Sequence, residues 1–182
     1  MNEHQEISEY MVQAQNELKR AHHLIYVSLK YSRTVDVIQS ALLRLADAFE
    51  SGIAAALDQS LSEEQKETII GIRKKCEAFL LLFPDLKEEV EFFLRLRLVC
   101  KAPIVQKLNE YRRHVTLVCL VDGEEIPVKI ETAEEYYHRT KHFINNLSTE
   151  LYGEISEEHT VRPDHWIVRN ATMAKGQKGR AK

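Results

Sequence analysis

Val115-Thr116-Leu117-Val118-Cys119-Leu120-Val121-Asp122-Gly123-Glu124-Glu125-Ile126-Pro127-Val128-Lys129-Ile130 reads as two strands joined by a tight turn. Val115, Leu117, Cys119 and Val121 alternate with Thr116, Val118 and Leu120, the period of a strand with two unlike faces. Ile126, Val128 and Ile130 alternate on the return. Asp122-Gly123 suits a two-residue turn whose central positions both need positive φ. Pro127 lacks an N–H and marks the return strand as an edge. A lone hairpin is marginal in water, so one face of this hairpin, about 114–130, is expected to pack on helices.

Those helices are legible on both sides. Ile7, Met11, Ala14, Leu18, Ala21 and Ile25 recur at spacings of three and four, which predicts a first helix from about Glu6 to Tyr31. Ser32-Arg33-Thr34 interrupts it with a turn. A second helix to about Asp58 carries Ile38, Leu42, Leu45, Phe49, Ile53 and Leu57, with Ala41, Ala46, Ala48, Gly52, Ala54, Ala55 and Ala56 small enough for close packing. Ser62-Glu63-Glu64-Gln65 has the form of a capping box and predicts a third helix through Ile69, Ile72, Cys76, Phe79 and Phe83. Pro84 ends it, and Asp85-Leu86-Lys87-Glu88 opens a fourth through Val90, Phe93, Leu94 and Leu98. Within that helix Leu94 to Leu98 also alternates like a strand. Lys101-Ala102-Pro103 breaks the element, and a short helical piece is expected beyond it, to Tyr111. Thr132-Ala133-Glu134-Glu135 predicts the start of a last helix, which Gly153 closes near Tyr152.

The fold expected is mostly α: a bundle of four to five helices with a β-hairpin inserted before the last one. Residues 1–153 form the helical domain. Residues 154–182 form an extension ending in a disordered basic tail, with Arg169, Lys175, Lys178, Arg180 and Lys182 and no acid after Val168.

The chain has 182 residues, 44% of them apolar, with only 6 Gly and 4 Pro, which favours long helices over many short strands. The net charge of -3 argues against a body that wraps nucleic acid, yet leaves room for a local basic patch. Cys76, Cys100 and Cys119 are isolated among apolar residues, with no C-x-x-C pair, and read as free thiols in a reducing compartment. Apolar runs such as Phe79 to Phe83 fall far short of the ~20 residues that span a bilayer. A cytoplasmic protein with no membrane contact is expected.

Four groupings bear on chemistry. Lys19, His23, Tyr26 and Lys30, with His22 beside them and Arg33 beyond, lie on one side of the first helix, where cations and a ring suit phosphate and base. The plain alternative is a solvated helix face. Glu134, Glu135, His138 and His142 share a face of the last helix, but too few ligands are present for a zinc or di-iron site, so no metal and no cofactor are expected. Arg33, Asp36, Arg44 and Asp47 either tie helices together or line a site. Tyr111-Arg112-Arg113-His114 is basic and aromatic at the base of the hairpin, where a solubilising collar is the plainer alternative. No phosphate loop or nucleophile elbow is present, and no residue is assigned as catalytic.

The helix order over roughly 5–152, with the run Arg20-Ala21-His22-His23-Leu24-Ile25-Tyr26-Val27, resembles the HEPN group, the higher eukaryote and prokaryote nucleotide-binding domains, and small archaeal helical proteins of that shape. The resemblance implies a helical module that dimerises and associates with RNA or a partner enzyme. Active HEPN ribonucleases use an Arg, then four to six residues, then a His. No Arg here has that spacing: Arg112 and Arg113 directly precede His114, and Arg20 is too near His22. The expected function is a non-enzymatic, self-associating interaction module. The alternatives are an RNA-binding protein using Lys19, Lys30, Arg112, Arg113 and the tail residues Lys175, Lys178 and Arg180, or a degenerate HEPN-like ribonuclease using His114.

Overall fold

The computed structural model describes residues 7–153, and the basic tail lies outside them. Helix α1, Glu9–His23, begins at Ser8, whose hydroxyl accepts from Tyr10 N at 3.2 Å. Met11, Ala14, Leu18 and Ala21 are buried along it, as their spacing predicts. The chain then widens into a π-helical turn, Leu24–Ser28, before the short helix α2, Leu29–Tyr31. The wider turn rotates the faces of α2 relative to those of α1, and such turns are often found at functional sites.

Helix α3, Val35–Ser60, is the centre of the molecule. Its predicted stripe from Ile38 to Leu57 is buried, and so are Ala41, Ala48, Ala55 and Ala56 beside it. An apolar stripe this broad needs neighbours on several sides, and α3 receives α1, α5, α6 and α7. Phe49 lies between Phe143, 3.9 Å away by ring centroid, and Phe93 at 5.1 Å.

The predicted third helix divides. The box at Ser62 forms, with Gln65 Oε1 accepting from Ser62 N at 3.0 Å, but it opens only α4, Glu63–Thr68. Helix α5, Ile72–Leu82, starts after Gly71 at φ 90°. Thr68, Ile69 and Ile70 are β-branched and stiff, and Gly71 comes next with a conformation other residues avoid. A 3-10 turn, Pro84–Leu86, leads into α6, Lys87–Lys101. Leu94 to Leu98 is therefore helical, with Phe93, Leu96 and Val99 turned inward.

The short helical piece expected up to Tyr111 is instead a strand. Ile104–Leu108 forms β1 and pairs antiparallel with β2, Thr116–Val121, through a bulge between Ile104 and Gln106. The spacing of Ile104 and Leu108 suits a helix equally well. The free edge of β2, which has no other partner, decides the outcome. Strand β3, Glu124–Lys129, completes a sheet of order β1-β2-β3 with Pro127 on the edge strand, and Asp122 and Gly123 turn at φ 51° and 86°. Val115, Leu117, Cys119 and Val128 join the helical core. Three strands relieve the marginal stability of a two-stranded hairpin.

Helix α7, Ile130–Tyr152, begins two residues before the predicted box, and Thr132 Oγ1 reaches back to accept from Lys129 N at 3.3 Å. Gly153, at φ 78°, ends it as expected. The fold is thus mostly helical with a small antiparallel sheet before the last helix, and no described helix is long and apolar enough to cross a membrane.

Candidate nucleic-acid interface

The loop 109–114 between β1 and β2 is held by its own backbone and by α3. Asn109 and Tyr111 adopt φ 54° and 65°, and Arg112 N donates to Asn109 O at 3.0 Å. Asn tolerates this region, whereas Tyr111 and Arg33, at φ 46°, sit in it at some cost. Those two strained residues meet: Tyr111 N donates to Arg33 O at 2.8 Å. One residue earlier, Glu110 Oε1 accepts from Val35 N at 3.3 Å, placing a carboxylate at the positive end of α3. Lys107 Nζ adds an ion pair with Asp36 at 2.9 Å. These contacts seat the loop on the α2–α3 turn.

Two of the groupings read separately from the sequence therefore meet at one end of the bundle. Lys30 and Arg33 come from the helical turn; Arg112, Arg113 and His114 come from the loop. None of the four Lys and Arg side chains makes an ion pair among the described residues. Tyr31 and Tyr111 flank the junction and are 80% and 76% exposed. The only carboxylates with assigned roles here, Asp36 and Glu110, are occupied by Lys107 and the α3 N-terminus. Cations without ion pairs and exposed rings on the same two joined segments suit phosphates and stacked bases.

Other residues of the predicted helix face lie elsewhere. Lys19 and His23 are exposed, with Lys19 about 16 Å along the helix from Lys30. Tyr26 turns inward from the π-helical segment. Its Oη shares a hydrogen bond with His138 Nε2 at 3.0 Å, and its ring lies 4.7 Å from His22 and 5.6 Å from Tyr137. Its ring is committed to this cluster rather than offered to a base. The exposed ring on this segment is that of Tyr31, which sequence spacing missed because it lies off the predicted stripe. Lys175, Lys178 and Arg180 lie outside the described residues.

The acidic and histidine face of α7 is also dispersed. His138 binds Tyr26, His142 Nε2 and Asn146 Nδ2 are 3.0 Å apart, and Arg139 pairs with Glu89 of α6 at 2.9 Å. No group of three metal-ligating side chains occurs among the described residues. Arg33, Asp36, Arg44 and Asp47 separate too: Asp36 holds Lys107, while Arg44 reaches buried Glu17 at 3.1 Å, which Arg20 also holds at 2.5 Å. Burial pushes the Cys76, Cys100 and Cys119 thiols up, Cys100 to about 12, which leaves them poor nucleophiles. No family model, curated protein or solved structure matches the chain.

Proposed function

We propose that this protein is a non-enzymatic binding module that holds single-stranded RNA at the junction of Arg33 and Tyr111. The observation that carries this reading is the 2.8 Å hydrogen bond between those residues. It joins the two backbones, and Lys30, Tyr31, Arg112 and Arg113 lie within three residues of one or the other. A base stacked on an aromatic ring contributes about 1–3 kcal/mol, and each neutralised phosphate releases counterions.

Fluorescence anisotropy with a labelled single-stranded RNA tests it. Four phosphate contacts on a single strand give a log–log salt slope of about -2.8, so affinity falls roughly 50-fold between about 50 and 200 mM salt. Arg112→Gln with Arg113→Gln lowers the slope by about 1.4. Tyr31→Leu with Tyr111→Leu weakens binding and leaves the slope unchanged. The RNA stays intact on long incubation; cleavage lost on His114→Ala would replace this reading with the nuclease one. Affinity insensitive to both double variants but lost on removing residues 168–182 would assign binding to the tail instead.

A self-associating module is the second reading, favoured by Leu81 and Leu82 at the end of α5, 86% and 38% exposed. Light scattering after size exclusion decides it: a dimer mass supports self-association and a monomer mass removes it.

A further inference from the structure

A groove runs between α1, α3 and α5, well away from the RNA surface. Ser51 is about 24 Å along α3 from Val35. The groove has a polar compartment of about 300 Å³, which includes Gln13, Asp47, Ser51 and Lys75, and a more apolar one of about 200 Å³, which includes Leu57, Leu61 and Ile69. Tyr10, Ala54 and Lys75 line both, so the two are continuous.

Most charges around the groove are already paired. Glu50 holds Arg97, and Lys66 holds Asp58 at 2.8 Å and Glu63 at 2.7 Å. Asp47 and Lys75 remain, one of each sign, with no ion pair to each other or to any described residue. Ser51 is the second observation. It is only 7% exposed, faces the polar compartment and makes no hydrogen bond among the described residues. Three other hydroxyls bond back one turn: Ser32 to Ser28 O, Ser40 to Asp36 O and Thr140 to Tyr136 O, each at 2.8 Å. Ser51, like the equally buried Ser148, makes no such bond, and its hydroxyl is left to a molecule in the compartment it lines.

We propose that the groove binds a free α-amino acid with an apolar side chain. Asp47 takes the ammonium group, and Lys75 with the Ser51 hydroxyl takes the carboxylate. The side chain extends along Leu57, Leu61 and Ile69. A volume at the low end of ligand pockets suits a molecule of this size. Burial pushes the Asp47 carboxyl above its usual value, Glu17 and Glu50 adding to the rise and Arg44 and Arg97 opposing it. A ligand ammonium relieves that burden.

Isothermal titration calorimetry of the full chain tests the site with L-leucine, L-isoleucine, L-methionine and L-phenylalanine, and with N-acetyl-leucine and leucinamide as controls. At least one free amino acid should give saturable heat. The N-acetyl form lacks the ammonium and the amide lacks the carboxylate, so both should bind at least tenfold more weakly. Asp47→Asn and Lys75→Gln should each weaken binding at least tenfold, and Ser51→Ala severalfold. Circular dichroism checks that these variants fold, and neither charged residue makes an ion pair whose loss would unfold the chain. No saturable heat up to millimolar concentration overturns the proposal, as does equal binding of leucinamide or indifference to both charge variants. Arg112→Gln with Arg113→Gln should leave the heat unchanged, so failure here is distinct from failure of the RNA reading.

Discussion

Gly52 sets how closely α3 and α7 approach. A Cβ at this position would stand 2.6 Å from Ile144 Cδ1 and 3.2 Å from Phe143 Cε1. Glycine inside a helix costs about 0.5–1 kcal/mol relative to alanine, and here the close contact of two large apolar side chains offsets it. Gly52→Val puts branched carbon into filled space, and overpacking of this kind destabilises by about 1–3 kcal/mol. The urea midpoint should fall by a corresponding amount with the helical circular dichroism spectrum retained. Gly52→Ala should cost less, because Ile144 Cδ1 ends a flexible side chain and alanine favours the helix. If the valine variant matches the parent midpoint, the two helices separate freely and the packing is looser than these distances imply.

Glu110 lies on the β1–β2 loop yet completes the start of α3. Thr34 occupies the N-cap position and makes no side-chain cap, while Glu110 accepts from Val35 N. Glu110→Ala should therefore destabilise by about 1 kcal/mol, the usual value of a lost cap, and Thr34→Ala should change little. Hydrogen exchange at the Tyr111 amide gives the local readout: it should quicken in the Glu110 variant, and unchanged exchange would mean the loop is held without this contact. The same elements show what the sequence could reveal. The stripes of α1 and α3, the Ser62 box and the Asp122-Gly123 turn are decided within a few neighbouring residues, and each was legible. β1 was not, because Ile104 and Leu108 satisfy a helical spacing and only the edge of β2 makes them a strand. The division at Gly71 was missed for a local reason: the apolar spacing of Ile69, Ile72 and Cys76 outweighed the glycine between them. For the candidate site, the cations and Tyr111 stood out in the sequence. Their meeting did not, since it depends on a hydrogen bond between Arg33 and Tyr111, far apart along the chain. Tyr31 carried no signal, being an exposed ring beyond the apolar stripe.

Across the whole molecule, charge and burial are distributed unevenly. A chain of net charge -3 gathers unpaired cations at the start of α3, while its three thiols sit in the half built from α5, α6 and the sheet. That burial links stability to pH. Cys100 starts from a thiol value of 9.0 and rises to about 12 in the fold, through burial first and then Asp47 and Cys119, with Arg97 opposing. The folded chain thus keeps a proton that the unfolded chain loses. Its contribution to stability is complete below about pH 9 and drains away as the pH climbs toward 12. Lys66 and Lys107, raised by their carboxylate partners, also lose stabilisation in alkali, so the total slope does not isolate the thiol. A difference measurement does. Cys100→Ala leaves a small cavity whose cost is independent of pH, and it removes only the thiol's proton linkage. The parent should be the more stable near pH 8, with the gap in urea midpoint narrowing steadily toward about pH 11. Parallel curves would mean that Cys100 titrates alike in the folded and unfolded chain, and that the packing of α6 against β2 leaves its sulfur open to water.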